Sequence, residues 1–415
     1  MLDIKFIREN QKEIEKMLTG RRVKVDLAHL LEIDGQRRKL ILEVDKLRRE
    51  RKAAAEKHDE ETGRQVKEKL SKLEGSLRAV EEELDGYIEQ VPNVLSPQVP
   101  DGENEKDNKE IKTWGQRAKF DFPPKSHVEI GKNLGIINQE LAAKSSGHGF
   151  YYLLGDGAKL ELALVAWTID LLGKEGYTPV FPPDLVRKQF VEGTGYLPRR
   201  EEPDVYKVEG EDLYLAATAE IPIAAIHAGE ILNEADLPKN YVGFSTSFRR
   251  EAGSYGKYTH GIYRVHQFDK VEIFKFVKPE NSDRAFQEII SLQEKIYQSL
   301  EIPYRIVNIC SGEMSAPAYL KYDLEYWDPV NGQYRELTSA SNTTDYQARR
   351  LNIKYKQATS GQKPATSHVH TLNGTAIALS RTIIALLENH QQKDGSIKLP
   401  KVLHEYLGKD TIQRP

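Results

Sequence analysis

The chain has 415 residues, of which 30% are charged, and a formal net charge of −3. This length allows two domains, and the near balance of charge means that nucleic-acid binding would need a local basic patch. Its single cysteine, Cys310, excludes an internal disulfide framework and a cysteine-cluster metal site, and the lack of a signal sequence or a run of about 18 apolar residues predicts a soluble, cytoplasmic protein.

The N-terminal part of the chain has the apolar spacing of helices. Residues 3–18 predict a short amphipathic helix with Asp3 as its N-cap. Positions at alternating spacings of three and four then form a stripe over 30–54 that is apolar except at Arg37 and Arg51, and the pattern resumes after Gly63 as far as residue 91. Two such stripes joined by a short polar turn predict an antiparallel coiled-coil arm over about 27–91.

A cluster of basic residues, KLRRERK at 46–52, lies within the first of these helices. Two interpretations stand side by side. The cluster is either the solvated face of a coiled coil, since acidic residues are interleaved with it, or a surface that binds a polyanionic partner.

Three prolines after residue 91 end the second helix, and the following segment, 101–125, is predicted to be a linker with some strand content. Beyond it, 126–415 alternates between strand-like and helix-like patterns. Ser126 is a predicted helix cap, and a strong helix at 158–172 is predicted to end at Gly173.

The most informative stretch is Phe248–Phe274, in which two strand-like runs flank a loop that contains Gly253, Gly256 and Gly261. Charged residues lie inside the strand patterns as well as in the loop. A planar arginine suits a phosphate or carboxylate, and an aromatic ring suits a nucleotide base, so the stretch favours a nucleotide site on an antiparallel sheet. A solvated hairpin with surface ion pairs is the alternative.

Two further segments have unusual polar residues. The triplet Thr218-Ala219-Glu220 follows a predicted strand and opens a helix, where Glu220 favours the helix dipole. Near the C-terminus a predicted strand, an Asn-Gly turn at 373–374 and a long helix follow one another, and the helix places Arg381 among apolar residues. Such an arginine needs an anion or a carboxylate nearby, either as a binding site or as a structural salt bridge.

These segments together resemble a known family. FRREAG at 248–253, followed by a glycine-rich loop and RVHQFDKVE at 264–272, resembles motif 2 of the class II aminoacyl-tRNA synthetases in its seryl-tRNA synthetase form. YTPVFPPDLV at 177–186 resembles motif 1, and the segment with Arg381 resembles motif 3. No dinucleotide-binding fingerprint, P-loop or zinc signature competes with this interpretation.

The resemblance implies an α+β fold, with an antiparallel six- to seven-stranded catalytic sheet flanked by helices and the N-terminal two-helix arm. It divides the chain into a tRNA-binding domain (1–100), the linker (101–125) and a catalytic domain (126–415). Motif 1 is expected near 176–186, motif 2 near 244–274 and motif 3 near 368–390.

The implied activity is that of a serine–tRNA ligase. ATP and L-serine would give seryl-adenylate and pyrophosphate, and the seryl group would then pass to serine tRNA, with selenocysteine tRNA as a second acceptor. The resemblance also implies Mg²⁺, a homodimer, and neither a membrane nor a DNA partner. A class II-like ligase that charges a carrier protein and a catalytically inactive paralogue are the two alternatives.

The resemblance assigns roles residue by residue, with Arg249 and Arg381 as the catalytic pair. The implied ATP-binding set is Arg249, Arg250, Glu251, Arg264, Val265, Phe268, Glu336, Leu337, Thr338, Ser339 and Arg381. The implied serine-binding set is Thr218, Ala219, Glu220, Arg249, Glu272, Asn373 and Thr375. Glu336 and Ser339 are the implied Mg²⁺ ligands, and the implied tRNA contacts are Arg48, Arg49 and Arg51.

Overall fold

A computed structural model describes residues 1–196, 204–251, 261–357 and 365–414. Gly253 and Gly256 of the predicted glycine-rich loop lie outside these ranges. The chain divides into two compact units, Met1–Val94 and Leu95–Pro415. Within the described residues, no helix is both long and apolar enough to cross a membrane.

The first unit is helical. Its helices are α1 (Ile4–Glu9), α2 (Gln11–Gly20), α3 (Leu27–Glu56) and α4 (Glu60–Ile88). The single helix predicted over 3–18 is therefore broken at Asn10, although Asp3 caps its start as predicted by accepting from the Lys5 amide. The coiled-coil hairpin is present, but α4 begins at Glu60, because Asp59 accepts a hydrogen bond from the Thr62 amide and caps it. Gly63 thus lies inside the helix.

The second unit is built on a large sheet. Its strands are β1 (Lys109–Trp114), β2 (Ile137–Asn138), β3 (Tyr152–Leu153), β4 (Thr178–Val180), β5 (Leu185–Arg187), β6 (Leu213–Leu215), β7 (Ile231–Asn233), β8 (Lys239–Phe248), β9 (Gln267–Val277), β10 (Tyr304–Asn308), β11 (Leu320–Asp328), β12 (Gln333–Asn342), β13 (Lys354–Lys356), β14 (Thr366–His368), β15 (His370–Ala378), β16 (Ile397–Lys398) and β17 (Thr411–Ile412). Its helices are α5 (His127–Leu134), α6 (Gln139–Ser146), α7 (Asp156–Lys174), α8 (Lys188–Thr194), α9 (Glu220–Ala225), α10 (Ser282–Ser299), α11 (Tyr346–Arg350), α12 (Leu379–Asn389) and α13 (His404–Leu407).

The main sheet has the order β1-β10-β11-β12-β15-β9-β8-β4 and is antiparallel except for the β4–β8 pair. The described sheet therefore has eight strands, where six to seven were expected. The additional pairing is at the edge: β1 lies in the segment predicted to be a linker and pairs with β10. Helices α7, α10 and α12 pack their apolar faces against the sheet and form the main core.

Two local predictions were wrong, and a third was confirmed. Helix α7 continues through Gly173 to Lys174. The Asn373-Gly374 pair is not a turn but lies inside the continuous strand β15, where cross-strand hydrogen bonding outweighs the local turn preference. Ser126 does cap α5, with a reciprocal hydrogen bond to Glu129.

Candidate active site

One face of the sheet's centre forms a polar cavity that is open to solvent. Strands β9, β12 and β15, the residues that follow β8, and the starts of α9 and α12 surround it. The residues that line it are Tyr196, Glu220, Arg249, Glu251, Tyr263, Arg264, Val265, Phe268, Lys270, Glu272, Glu336, Leu337, Thr338, Ser339, Asn373, Thr375, Ala378, Ser380 and Arg381. Most of the predicted ATP and serine residues are thus brought together, although they are far apart in the sequence.

Three predicted residues do not line the cavity. Arg250 is exposed, and its backbone amide donates to the Asp204 carbonyl. Thr218 and Ala219 are buried and do not line the cavity. The Thr218 hydroxyl nevertheless contacts a residue that does, because it accepts a hydrogen bond from Lys270 Nζ at 2.6 Å.

A cationic region occupies one end of the cavity. Arg249 lies with its guanidinium carbon 5.3 Å from the centre of the Phe268 ring, and Arg264 Nε lies 3.2 Å from Glu251 Oε2. Arg249 follows β8 directly, and its backbone amide donates to His266. A cation beside a ring, with a carboxylate next to it, suits a phosphate and an adenine base.

The third arginine of the cavity contacts a carboxylate on β12 and an aromatic ring in the segment before β9. Arg381, on α12, pairs through Nη1 with Glu336 Oε1 at 3.1 Å and stacks 4.6 Å from the Tyr263 ring centre. The centre of the same ring lies 4.0 Å from the Arg335 guanidinium carbon. The Arg381 charge lowers the pKa of Glu336 to about 2, so the Glu336 carboxylate is ionised at neutral pH.

A β-bulge places Glu336 and Ser339 on the same face. A spacing of three would put them on opposite faces of a regular strand. In the pairing of β11 with β12, Leu324 faces Thr338 and Glu325 faces Glu336, so Leu337 is an extra residue. Both oxygen-bearing side chains therefore line the cavity.

The opposite end of the cavity is acidic and deeply buried. Glu272 on β9 is 2% exposed and accepts from the Thr375 hydroxyl at 3.2 Å, and Thr375 lies directly across from it on β15. Glu220, at the first position of α9, is also buried. Its carboxylate oxygens accept from three neutral donors: Tyr196 Oη, Gln347 Nε2 and Asn373 Nδ2.

Close packing between α9 and β8 brings the two carboxylates into one pocket. A Cβ at Gly243 would lie 2.3 Å from Ile223 Cδ1, so a larger residue there would require the Ile223 side chain to move. Burial, followed by the negative charge of Glu272, raises the pKa of Glu220. This end of the cavity is suited to a small molecule with an ammonium group and a hydroxyl.

The sequence interpretation missed several lining residues, of which Tyr263 and Lys270 make the most contacts. Lys270 could have been found by the same even spacing that placed Phe268 and Glu272 on one strand face. Tyr263 lies between the loop and the strand, and no periodic signal marks it. Among the described residues no cluster of three or more His, Cys, Asp or Glu side chains suits a metal ion.

The arm residues predicted to bind tRNA are on the surface of α3 in the first unit. Arg49 and Arg51 are exposed, whereas Arg48 pairs with Glu74 of α4 at 2.8 Å. An exposed pair of this kind contributes about 0–1 kcal/mol to folding, so it holds the side chain only weakly.

Comparisons with known proteins agree with this geometry. Residues 205–390 match the tRNA synthetase class II core domain (G, H, P, S and T), and residues 1–95 match the seryl-tRNA synthetase N-terminal domain. The chain is 46% identical to the serine–tRNA ligase of Rubrobacter xylanophilus over 99% of both chains. It is 44% identical to that of Dictyoglomus turgidum over 100% of this chain and 99% of the other.

A solved structure gives the same result. The seryl-tRNA synthetase from Pyrococcus horikoshii, complexed with ATP, superposes on this chain with a TM-score of 0.92 at 41% identity, and the match covers 100% of both chains. The cytoplasmic serine–tRNA ligase of Naegleria fowleri, in complex with AMP, gives a TM-score of 0.88 at 35% identity. The chain therefore belongs to the seryl-tRNA synthetase family.

Proposed function

We propose that the chain is a serine–tRNA ligase that forms seryl-adenylate and pyrophosphate from L-serine and ATP and then transfers the seryl group to serine tRNA in the cytoplasm. The observation that supports this most strongly is the cavity itself. It has a cationic end suited to a nucleotide and a buried acidic end suited to a hydroxyl-bearing amino acid, with Arg249 among the residues that line it.

Arg249 is the central residue of the first step. The serine carboxylate attacks the α-phosphorus of ATP, and these two anions repel each other until a cation lies between them. A guanidinium provides a fixed charge and paired donors for both. The nucleophile is already a carboxylate, so the step needs no protein base, and catalysis is positioning and charge neutralisation.

The remaining nucleotide contacts are assigned to other residues that line the cavity. Phe268 offers a ring for adenine, Glu251 an acceptor for its amino group, and Arg381 a second cation for the polyphosphate. Arg264 and the Val265 backbone complete this end. Arg250, which is exposed, has no contact with the cavity and is the weakest member of the ATP-binding set.

Selectivity for serine is assigned to the acidic end. The serine ammonium is held by Glu220 and Glu272, with Thr218 behind them, and Thr375 reads the hydroxyl from the strand opposite Glu272. A buried site built around a hydroxyl leaves polar groups unpaired when the hydroxyl is missing, which disfavours alanine.

Mg²⁺ is proposed to bind at Glu336 and Ser339. Their donor atoms fit the ion, since Glu336 is ionised and both are oxygen ligands on the same face. Asp323, paired with Ser339 in the strand register, has a buried oxygen, Oδ1, without a hydrogen-bond partner. Mg²⁺ at this position would supply charge neutralisation at the ATP phosphates.

Two partners are proposed from surfaces. Arg48, Arg49 and Arg51 on the arm are proposed to contact tRNA phosphates and sugars, since RNA helices are recognised largely by shape and backbone. A homodimer is supported by exposed large apolar side chains: Phe181, in the segment that resembles motif 1, is 71% exposed, and Leu162 on α7 is 68% exposed.

The test is ATP–pyrophosphate exchange with each of the twenty amino acids in turn. The proposal predicts exchange that depends on serine and is greatly reduced with alanine and threonine. No serine-dependent exchange would refute the proposal. Exchange with another small amino acid would favour the carrier-protein ligase, and no exchange with any amino acid would favour an inactive paralogue.

A further inference from the structure

Lys270 lies inside the serine end of the cavity. It is on β9, two residues from Phe268 and two from Glu272, so the three side chains share a strand face. Lys270 is 5% exposed. Its Nζ lies 2.6 Å from Glu272 Oε2 and 2.6 Å from Thr218 Oγ1. The lysine ammonium therefore contacts two of the groups proposed to hold the ammonium of serine.

The charges at this end can be counted. With both carboxylates ionised, Glu220 and Glu272 contribute two negative charges, and the described donors to Glu220 are neutral. Lys270 contributes one positive charge, in direct contact with Glu272. Arg249 lies beside Phe268, where the proposed mechanism uses it for the carboxylate and phosphate. The amino-acid end thus has a net charge of −1, which one ammonium group neutralises.

We infer that Lys270 is the residue that fixes this charge balance, and that it makes the site selective for an amino acid with one ammonium and a neutral hydroxyl over one with two ammonium groups. This inference rests on the proposed function and extends it. Lys270 acts through Glu272 and through its charge. It is therefore a specificity-determining residue and takes no part in bond making.

A suitable probe is L-2,3-diaminopropionate, which has an amino group where serine has its hydroxyl. Its second ammonium would lie near Thr375 and Glu272, where Lys270 already supplies positive charge. In Lys270→Met, which is neutral and similar in length, two carboxylates would face a single serine ammonium. The diaminopropionate dication would then supply the missing charge.

The experiment is ATP–pyrophosphate exchange by the full chain with serine and with diaminopropionate, at a pH at which both amino groups of the probe are protonated. The measured quantity is the ratio of kcat/KM for serine to that for diaminopropionate. In Lys270→Met we expect this ratio to fall at least about tenfold. The interaction energy of two unit charges in contact in a buried site corresponds to a change of more than about tenfold in an equilibrium constant. Lys270→Arg, which keeps the charge, should retain a ratio near that of wild type.

Lys275→Met is the matched control. Lys275 is on the same strand, is 3% exposed and pairs with Glu288, but it lies outside the cavity. The Lys275→Met variant loses a buried lysine without changing the charge at the serine end. Its ratio of kcat/KM for serine to that for diaminopropionate should therefore equal that of wild type, even if its stability falls.

Three results would overturn the inference: a Lys270→Met ratio equal to wild type, a Lys270→Arg variant that loses selectivity, or a wild-type chain that uses both substrates equally. The first would show that Lys270 only supports the fold. If Lys270→Met does not fold, the Lys270→Arg and wild-type measurements still decide the question. A wild-type chain without serine-dependent exchange would instead refute the proposed function.

Discussion

Replacing Arg249 with alanine should nearly abolish adenylate formation while leaving the fold intact. The backbone at Arg249 is held independently of the side chain, because its amide donates to His266 at 2.9 Å. Among the described residues, the side chain donates from Nε to the Ala217 carbonyl at 3.3 Å and contacts the Phe268 ring. Each is worth about 1 kcal/mol, so we expect a loss of stability of about 2 kcal/mol at most.

The loss of activity should be larger than the loss of stability. Removing one preorganised donor to a developing anionic centre costs about 3–4 kcal/mol, which is roughly 10²–10³ in rate. The assay is serine-dependent ATP–pyrophosphate exchange, with urea unfolding as the check on folding. Arg284→Ala, which removes an arginine whose side chain is 84% exposed on α10, is the control and should leave exchange unchanged. Exchange by Arg249→Ala within about threefold of wild type would refute the role given to this residue.

Three more predictions follow from the same structure. Thr375→Val removes a buried hydroxyl and should reduce the selectivity for serine over alanine, measured as a ratio of kcat/KM values, by roughly tenfold or more; an unchanged ratio would mean that another group reads the hydroxyl. Because Arg381 lowers the pKa of Glu336 to about 2 from its ordinary 4.5, the pair stabilises the fold above about pH 4.5, and the stability advantage of wild type over Glu336→Gln in urea unfolding should shrink as the pH falls from about 4.5 to about 2. An advantage that is independent of pH over that interval would contradict the pairing. Finally, replacing Arg48, Arg49 and Arg51 with alanine should raise the KM for tRNA and weaken its dependence on salt, while the KM values for serine and ATP stay unchanged. A KM for tRNA equal to that of wild type would show that these three arginines do not bind tRNA.

The sequence predicted much of the site because strand periodicity and family motifs are both local signals. The even spacing of Phe268 and Glu272 correctly places them on one face, and both line the cavity. What could not be predicted depends on pairing between distant strands. Glu336 and Ser339 share a face only because Leu337 is an extra residue in the pairing with β11, and a bulge of this kind leaves no periodic signal.

Local preferences also misled where long-range pairing decides the structure. Asn373-Gly374 is a strong turn signal, yet both residues are paired on each side within β15. A side chain at Gly374 would lie 2.4 Å from Ile289 of α10, so this glycine allows close packing of the helix on the strand. The ion pair of Arg48 with Glu74 on the opposite helix could not be predicted from the sequence, because it depends on the register between the two helices of the hairpin.

The most direct test of the central claim is transfer of labelled serine to a serine tRNA transcript by the full chain in the presence of ATP and Mg²⁺. We predict acid-precipitable label on serine tRNA, none on a tRNA for another amino acid, and loss of charging when residues 27–91 are replaced by a short flexible linker, with serine-dependent exchange retained. Serine-dependent exchange without any transfer to serine tRNA, or equal charging by the chain without the arm, would contradict this account.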